Sequence, residues 1–249
     1  MHTCFQPEIQ EGVGSLSEQE AGHVSRVLRM QPGDQVRLID GKGKTARGIL
    51  TDVGRKNVAV AIDDVKTHGN RPSGLVLVVS PTKSTDRFEW LLEKATELGV
   101  EAILPVWSQR SIRRSDKHER WAKIIVAATK QSQRVWMPIL HEACRLEDVM
   151  LCHPELLARP GAVAHCIDSD ASLTDRMAWT DWQKDKLSAW LAVGPEGDFT
   201  VEEVLALIKH NATPVHLGRL RLRTETAGMA AVAQFLTQDN LGEQDRVVN

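Results

Sequence analysis

The sequence predicts an α/β protein in two parts, a small N-terminal β-barrel followed by a parallel sheet wound with helices. Three observations carry this reading. From residue 75 onward, continuous apolar runs alternate with amphipathic helical stretches, the pattern of parallel strands buried on both faces. Before residue 66, short alternating runs are separated by glycine-bearing turns, the pattern of a small barrel. Between them Thr67–Ser73, THGNRPS, is turn-rich and apolar-poor, which divides the chain into a domain over 1–72 and one over 73–249.

In the first part, Ser17 caps a short helix, and Glu20 completes a capping box ahead of Val24, Val27 and Leu28. Pro32-Gly33 closes that helix. Val36–Ile39, Gly48–Leu50 and Val58–Ile62 are the strands, with Asp40-Gly41-Lys42-Gly43-Lys44 as a turn. In the second part LVLVVSP (75–81) is the first strand, and the next helix gathers Phe88, Leu91, Leu92, Ala95 and Leu98 on one side. AILPVW (102–107) follows, then a helix through Trp121, Ile124, Ile125 and Ala128. AVAHCID (162–168), AWLAVGP (189–195) and PVHLG (214–218) are further buried strands, the last two leading into helices at Thr200 and Thr224. SDASLTDRMAWTDWQKDK (169–186) is polar and aperiodic and is expected to be a surface excursion.

Composition excludes several classes. The 249 residues are 42% hydrophobic and 26% charged, which rules out collagen-like and largely disordered chains. No apolar run approaches the roughly 18 residues of a membrane helix. The start, MHTCFQPEIQ, lacks a basic-then-apolar signal pattern, so the expected compartment is the cytoplasm, with no membrane partner. Cys4, Cys144, Cys152 and Cys166 make no C-x-x-C pair and the histidines show no ligand spacing, so no metal is expected. The net charge of −2 conceals an asymmetry: residues 74–134 carry 11 basic against 7 acidic groups, and residues 135–213 carry 6 against 13. A local basic patch, which the total hides, is what binds phosphate.

Open parallel sheets bind ligands beyond the carboxyl ends of their strands, and two such ends stand out. The first is Gly194-Pro195-Glu196-Gly197-Asp198-Phe199, followed by a capping box of Thr200 and Glu203. Its glycines either admit a ligand close to the backbone or make a tight strand-to-helix turn. The second runs from Leu217 to Ala227. Arg219, Arg221 and Arg223 share one face of that segment if it is extended, just before TAGMAAVAQFL, a helix of small and apolar residues. Arg223 either faces a ligand or pairs with Glu225. Neither end is a G-x-G-x-x-G or P-loop fingerprint, and no G-x-S-x-G elbow exists, which argues against dinucleotide and Ser-His-Asp hydrolase chemistry. Arg110, Arg113 and Arg114 make either a solvated loop or a phosphate-binding patch, and the guanidinium fork favours the latter. Arg26 and Arg29 either extend that patch or face the end of their own helix. Glu89, Glu93 and Glu97 form an acidic stripe with no histidine to make it a metal site.

Five motifs then occur in order: His23-x-x-Arg26-Val27-Leu28-Arg29, Glu93-Lys94-Ala95-Thr96-Glu97-Leu98-Gly99-Val100, Gln131-Ser132-x-Arg134 before Pro138, Gly194-Pro195-Glu196-Gly197, and Leu222-Arg223-Thr224-Glu225-Thr226-Ala227. Together they resemble the 16S ribosomal RNA (uracil-N3) methyltransferase family of the SPOUT class, over most of the chain. The resemblance implies an RNA-binding PUA-like barrel, a SPOUT domain with a deep C-terminal trefoil knot, S-adenosylmethionine as cofactor, and a homodimer. It implies methylation of N3 of a specific uridine, with 16S rRNA or the small ribosomal subunit as partner.

The same resemblance implies that the cofactor lies against Ile167 and Asp168, against Val193, Gly194, Pro195, Glu196 and Gly197, and against Leu217, Gly218, Leu222 and Arg223. The chemistry then points to Arg223 as a stabiliser of charge on the uracil, to Glu225 or water as the base, and to RNA contacts at Arg26, Arg29, Lys83, Arg110, Arg113 and Arg114. Three positions depart from the family pattern: Thr3 replaces a common arginine, Asp198 replaces a second glycine, and Leu220 replaces the first arginine of Leu-Gly-x-Arg-x-Leu-Arg. The competing readings are a SPOUT enzyme acting on another rRNA nucleotide or a ribose 2′-hydroxyl, and a non-catalytic RNA-binding ribosome-assembly factor. A nucleotide-dependent oxidoreductase is a weaker third, for want of a dinucleotide fingerprint.

Overall fold

The computed structural model describes residues 1–112 and 116–237. The chain divides into two compact units, Met1–Arg71 with Ile125–Met137, and Pro72–Ile124 with the residues from Pro138 on.

The first unit contains β1 (His2–Phe5), β2 (Gly12–Ser15), α1 (Glu18–Gly22), β3 (Gln35–Ile39), β4 (Lys44–Val53) and β5 (Val58–Thr67). Its strands stand in the order β1-β3-β4-β5-β2, with β1 parallel to β3 and the other pairs antiparallel. The outer strands β1 and β2 do not pair with each other among the described residues, so by its hydrogen bonds the expected barrel is an open sheet. Irregularities between Thr45 and Arg47 and between Leu50 and Asp52 interrupt the long β4–β5 ladder, and such bulges bend a strand. Cys4, Val24, Val36, Leu38, Val58 and Val60 are wholly buried between them. Burial pushes the Cys4 thiol up to about 12, which keeps it inert.

The helical entry departs from expectation. Ser17 Oγ accepts the Glu20 N–H at 3.3 Å, but the Glu20 carboxylate does not return to Ser17. It is buried and meets Lys130 Nζ at 2.5 Å. After Gly22 the chain widens into a π-turn, His23–Val27, closed by the Leu28 N–H on the His23 carbonyl at 3.0 Å. The extra residue in that turn rotates the following side chains, so Val24 is buried while Val27 is 66% and Leu28 38% exposed. Residues 125–137 complete this unit. The Met137 N–H donates to the Gly41 carbonyl at 2.9 Å, and Trp136 lies so close to Gly43 that a Cβ there would sit 2.4 Å from its ring.

The second unit contains β6 (Leu75–Val79), α2 (Thr85–Leu98), β7 (Ala102–Trp107), the start of α3 (His118–Gln131), β8 (Ile139–Leu140), β9 (Cys144–Arg145), α4 (Val149–Cys152), β10 (Gly161–Ala164), β11 (Met177–Ala178), α5 (Trp179–Trp182), β12 (Ala189–Val193), α6 (Val201–Lys209), β13 (Ala212–His216) and α7 (Thr224–Leu236). Its sheet runs β11-β13-β10-β12-β6-β7-β8, every pair parallel, and β9 pairs a later stretch of β7. β6 and β12 are buried throughout, as their unbroken apolar runs predict. α2 buries Phe88, Leu91, Leu92 and Ala95, and ends on Gly99 at φ +110°, a value that favours glycine. Along its stripe, Glu89 pairs with Arg120 and Glu93 and Glu97 pair with Lys94.

Two expectations change. The strand expected over 162–168 stops at Ala164, and the one expected over 214–218 stops at His216. In both cases the chain turns out of the sheet where the functional loops begin. The segment 169–186 is not wholly a surface excursion: Trp179 and Trp182 stack at 5.3 Å and are 1% and 6% exposed. Trp179 Nε1–H donates to the Ala231 carbonyl of α7 at 3.3 Å. Two tryptophans spaced by three residues make one apolar helical face too short for periodicity to register. Among the described residues no helix is long and apolar enough to cross a membrane.

Candidate functional site

Strand register brings the predicted loops side by side. Ala164 stands opposite both Val193 and Val215, and Val193 stands opposite Val79. The chain therefore leaves β13, β10, β12 and β6 along one edge of the sheet, from strands about 4.8 Å apart.

The loop after β12 is bound to all its surroundings. The Asp198 N–H donates to the Pro195 carbonyl at 2.9 Å, closing a tight turn with Asp198 at φ +64°. That value accounts for the family's glycine here, and aspartate is among the side chains that tolerate it. The aspartate also adds a bridge that glycine lacks. Its Oδ2 accepts the Cys166 N–H of the β10 loop at 2.7 Å, and its Oδ1 accepts the Phe199 N–H at 2.8 Å. Glu196 Oε1 accepts the Lys83 N–H of the β6 loop at 2.8 Å. Arg110 Nη1 donates to the carbonyls of Gly197 at 2.9 Å and Phe199 at 3.2 Å. Thr224 Oγ1, at the start of α7, donates to the Gly194 carbonyl at 2.9 Å. A Cβ on Gly194 would lie 3.0 Å from the Phe199 nitrogen, so close packing of the turn itself requires that glycine. Phe199 anchors the loop, wholly buried.

The β10 loop is gripped by Arg176, which donates through Nη1 to the carbonyls of His165 and Ile167 (3.2 and 3.3 Å) and through Nη2 to Asp168 Oδ1 at 2.6 Å. His165 is buried, and its Nδ1 accepts the Ile167 N–H at 3.3 Å. The ring proton therefore belongs on Nε2, which is buried without a partner among the described residues. Burial, and then the Arg176 charge, hold this imidazole below its ordinary range and so neutral.

The segment after β13 is the opposite. Gly218 sits at φ +138° in open space, and Leu220 is 82% exposed. Arg219, Arg221 and Arg223 are exposed, as an extended arm predicts. Arg223 is the N-cap residue of α7. Its guanidinium has no partner among the described residues, and Glu225 pairs instead with Arg87 at 3.7 Å. The alternative in which Arg223 and Glu225 neutralise each other is therefore set aside. Glu225 is buried, with Oε2 unpartnered, as is Ser80 Oγ at the end of β6.

Ile167, Asp168, Gly194 to Gly197, Leu217, Gly218, Leu222 and Arg223 thus belong to loops that leave neighbouring strands, and Val193 ends β12 just before its loop. Asp168 is paired with Arg176 and remains largely exposed. Arg110 grips the β12 loop rather than standing solvated, and Lys83 enters through its backbone N–H while its side chain is exposed. Arg26 and Arg29 are exposed in the first unit. Arg113 and Arg114 lie outside the described residues. Sequence reasoning missed Arg176, His165 and Thr224. Only Asp198, a departure from a glycine pattern, carried a signal.

A parallel sheet whose carboxyl edge gathers a tied glycine loop, an exposed basic arm and buried unpartnered polar groups is the arrangement in which open α/β proteins bind ligands. Residues 70–236 match the RNA methyltransferase domain family, and residues 16–63 match the RNA methyltransferase PUA domain. The chain is similar to the ribosomal RNA small subunit methyltransferase E of Synechocystis, 30% identical over 92% of this chain and 74% of that one. It is similar to the enzyme of that name from Bacillus subtilis, 28% identical over 93% of each chain. The crystal structure of the Neisseria gonorrhoeae ribosomal RNA small subunit methyltransferase E bound to S-adenosyl methionine superposes with a TM-score of 0.76, at 29% identity over 94% of this chain and 95% of that one. The chain belongs to the RNA methyltransferase family, with a PUA domain at its N-terminal end.

Proposed function

We propose that this chain methylates N3 of a specific uridine in small-subunit (16S) rRNA, using S-adenosylmethionine. The observation that carries the reading is the tied Gly194–Thr200 loop beside the untied arm Leu217–Arg223, in a chain of the RNA methyltransferase family. The relative from Neisseria gonorrhoeae with bound S-adenosyl methionine supports the choice of cofactor. The site suits such a group: Gly218 leaves open space at its edge, and Glu225 Oε2 and Ser80 Oγ are buried without partners among the described residues.

In this reading Ile167, Asp168, Val193 to Gly197, Leu217, Gly218 and Leu222 hold the cofactor, chiefly through main-chain groups. When bound, S-adenosylmethionine supplies a methyl group on a positively charged sulfur. Arg223 offers a permanently charged set of donors to the uracil carbonyl oxygen on which charge develops as N3 loses its proton. Arginine does not itself take that proton. Glu225, oriented by Arg87, or a water molecule accepts it. Much of the acceleration comes from holding nucleophile and methyl donor together. Arg26, Arg29, Lys83, Arg113 and Arg114 engage RNA phosphates, with the PUA domain as the main platform, and Arg110 acts chiefly by shaping the β12 loop. The SPOUT resemblance adds a C-terminal trefoil knot, a homodimer and a cytoplasmic place of work.

The test is incubation of the purified protein with labelled S-adenosylmethionine and small ribosomal subunits from a strain lacking the modification, followed by mass spectrometry of the labelled nucleoside. The expected product is 3-methyluridine. Label in another base or on a ribose would replace the reaction while keeping the site, and no binding of S-adenosylmethionine would favour the RNA-binding assembly factor.

A further inference from the structure

We infer that the second unit carries a site for a late divalent transition-metal ion of the zinc type, held by His141, His153 and Glu155. Nothing in the methyl-transfer reading uses these residues. One ligand atom from each lies within 4.8 Å of the other two. The two imidazoles meet edge to face with centroids 4.5 Å apart, and His153 Nδ1 lies 3.1 Å from Glu155 Oε1.

The backbone holds the three in place. His141 directly follows β8, and its N–H donates to the Ile103 carbonyl of β7 at 3.0 Å. His153 closes α4, with its N–H on the Val149 carbonyl at 2.8 Å and a non-helical φ of −130° and ψ of 63°. Pro154 follows, and a residue before proline is biased out of the helix. That break turns His153 off the helix and brings Glu155 round at the start of the next turn. The result is two nitrogen ligands and one carboxylate from two separate segments, the donor set that borderline cations such as Zn²⁺ select.

Ligand atoms of a zinc tetrahedron stand about 3.4 Å apart on bonds near 2.1 Å, so the cluster must contract slightly. Glu155 provides the movement, since its side chain is 55% exposed while that of His153 is 15% exposed. The open side leaves the fourth position to water. β8 is only two residues long at the edge of the sheet. An ion here ties that edge to the segment preceding β10. Three strand spacings separate β8 from β12 in the sheet order, on the order of 14 Å, so the ion's role is to hold structure rather than to join methyl transfer.

The experiment uses the full chain, stripped with a chelator and titrated with Zn²⁺ in competition with a chromophoric chelator, and with Co²⁺ followed by its visible absorption. One equivalent per chain is expected, with a raised thermal midpoint in the presence of Zn²⁺. His141→Ala/His153→Ala should lose at least 100-fold in affinity by the loss of two ligands, and Glu155→Gln about 10-fold or more. His210→Ala, outside the cluster, should bind as the parent does. Circular dichroism and S-adenosylmethionine affinity check that the variants fold, and the exposed Glu155→Gln keeps the test decisive where the double variant does not fold. Absence of stoichiometric binding to the parent chain, or equal affinity in the folded double variant or in Glu155→Gln, overturns the site.

Discussion

The two segments that meet at the carboxyl edge of the sheet are built on opposite principles. Gly194–Thr200 is short, has its glycine packed against its own turn, and is bonded to the loops after β6, β7 and β10 and to the start of α7. Leu217–Leu222 makes no hydrogen bond to the described residues and extends two arginines and a leucine outward, just ahead of the exposed Arg223. One is formed before any ligand arrives, and the other has most of its interactions still to make. A transferase that must bring a bulky RNA to a small donor gains from this division. In the proposed reading the tied loop is the floor that holds the donor without reorganisation, and the open arm receives the acceptor.

The largest effect expected from breaking this division lies at the arm. Arg223→Ala should lower methyl transfer about 10²–10³-fold with little change in S-adenosylmethionine affinity or thermal stability. Single-turnover kinetics with saturating cofactor measures it, and normal turnover would remove Arg223 from catalysis. At the floor, the expected loss is in stability. Asp198→Gly keeps the left-handed backbone but leaves the N–H groups of Cys166 and Phe199 without their carboxylate, at a cost of about 0.5–1.5 kcal/mol by urea denaturation. Asp198→Val should cost more, because a β-branched residue at φ +64° is strained as well. An Asp198→Gly protein as stable as the parent would show that the bridge between the two loops contributes nothing.

Two smaller tests sharpen the contrast between arginines that shape the site and arginines that meet RNA. Arg26→Ala should flatten the dependence of log affinity on log salt by about 0.7–0.9, the loss of one phosphate contact. Arg110→Ala should weaken cofactor binding and leave that slope nearly unchanged, since its guanidinium is engaged by the Gly197 and Phe199 carbonyls. The smallest effect is a pH dependence. The folded-state pKa of His165 lies below its unfolded value of about 6.5. Its contribution to stability is therefore complete above that pH and is lost as pH falls toward the folded value. His165→Gln should flatten the decline in thermal midpoint between about pH 7 and 5, and an unchanged decline would assign it to other groups.

Much of this was legible in the sequence because burial leaves a plain mark. LVLVV and AWLAV read as strands covered on both faces, and Thr200 with Glu203 read as a helix start, which the reciprocal bonds of that capping box reproduce. Glycines at strand ends pointed to loops that leave neighbouring strands on one edge of the sheet. Other features depend on contacts distant in sequence. The π-turn His23–Val27 breaks helical periodicity, and the Gly22 before it does not by itself distinguish a widened turn from a helix end. Residues 125–137 join the first unit through Gly41 and Gly43, which no local pattern records. Arg176 lies in a polar stretch, and its three bonds to the β10 loop arise only once β11 and α5 have turned that stretch back onto the sheet. Arg110 reads as a phosphate ligand from charge alone, because composition does not report the Gly197 and Phe199 carbonyls that its Nη1 reaches.

The contrast between floor and arm is tested most directly by amide hydrogen exchange on the full chain, with and without S-adenosylmethionine. The amides of Asp198, Phe199 and Thr200, each with an acceptor, should exchange slowly in both states, and those of Leu217–Arg223 should exchange fast alone and slow markedly when the cofactor is added. Fast exchange of both loops in the unliganded protein, or cofactor-induced protection confined to regions outside them, would contradict a prebuilt floor completed by an open arm.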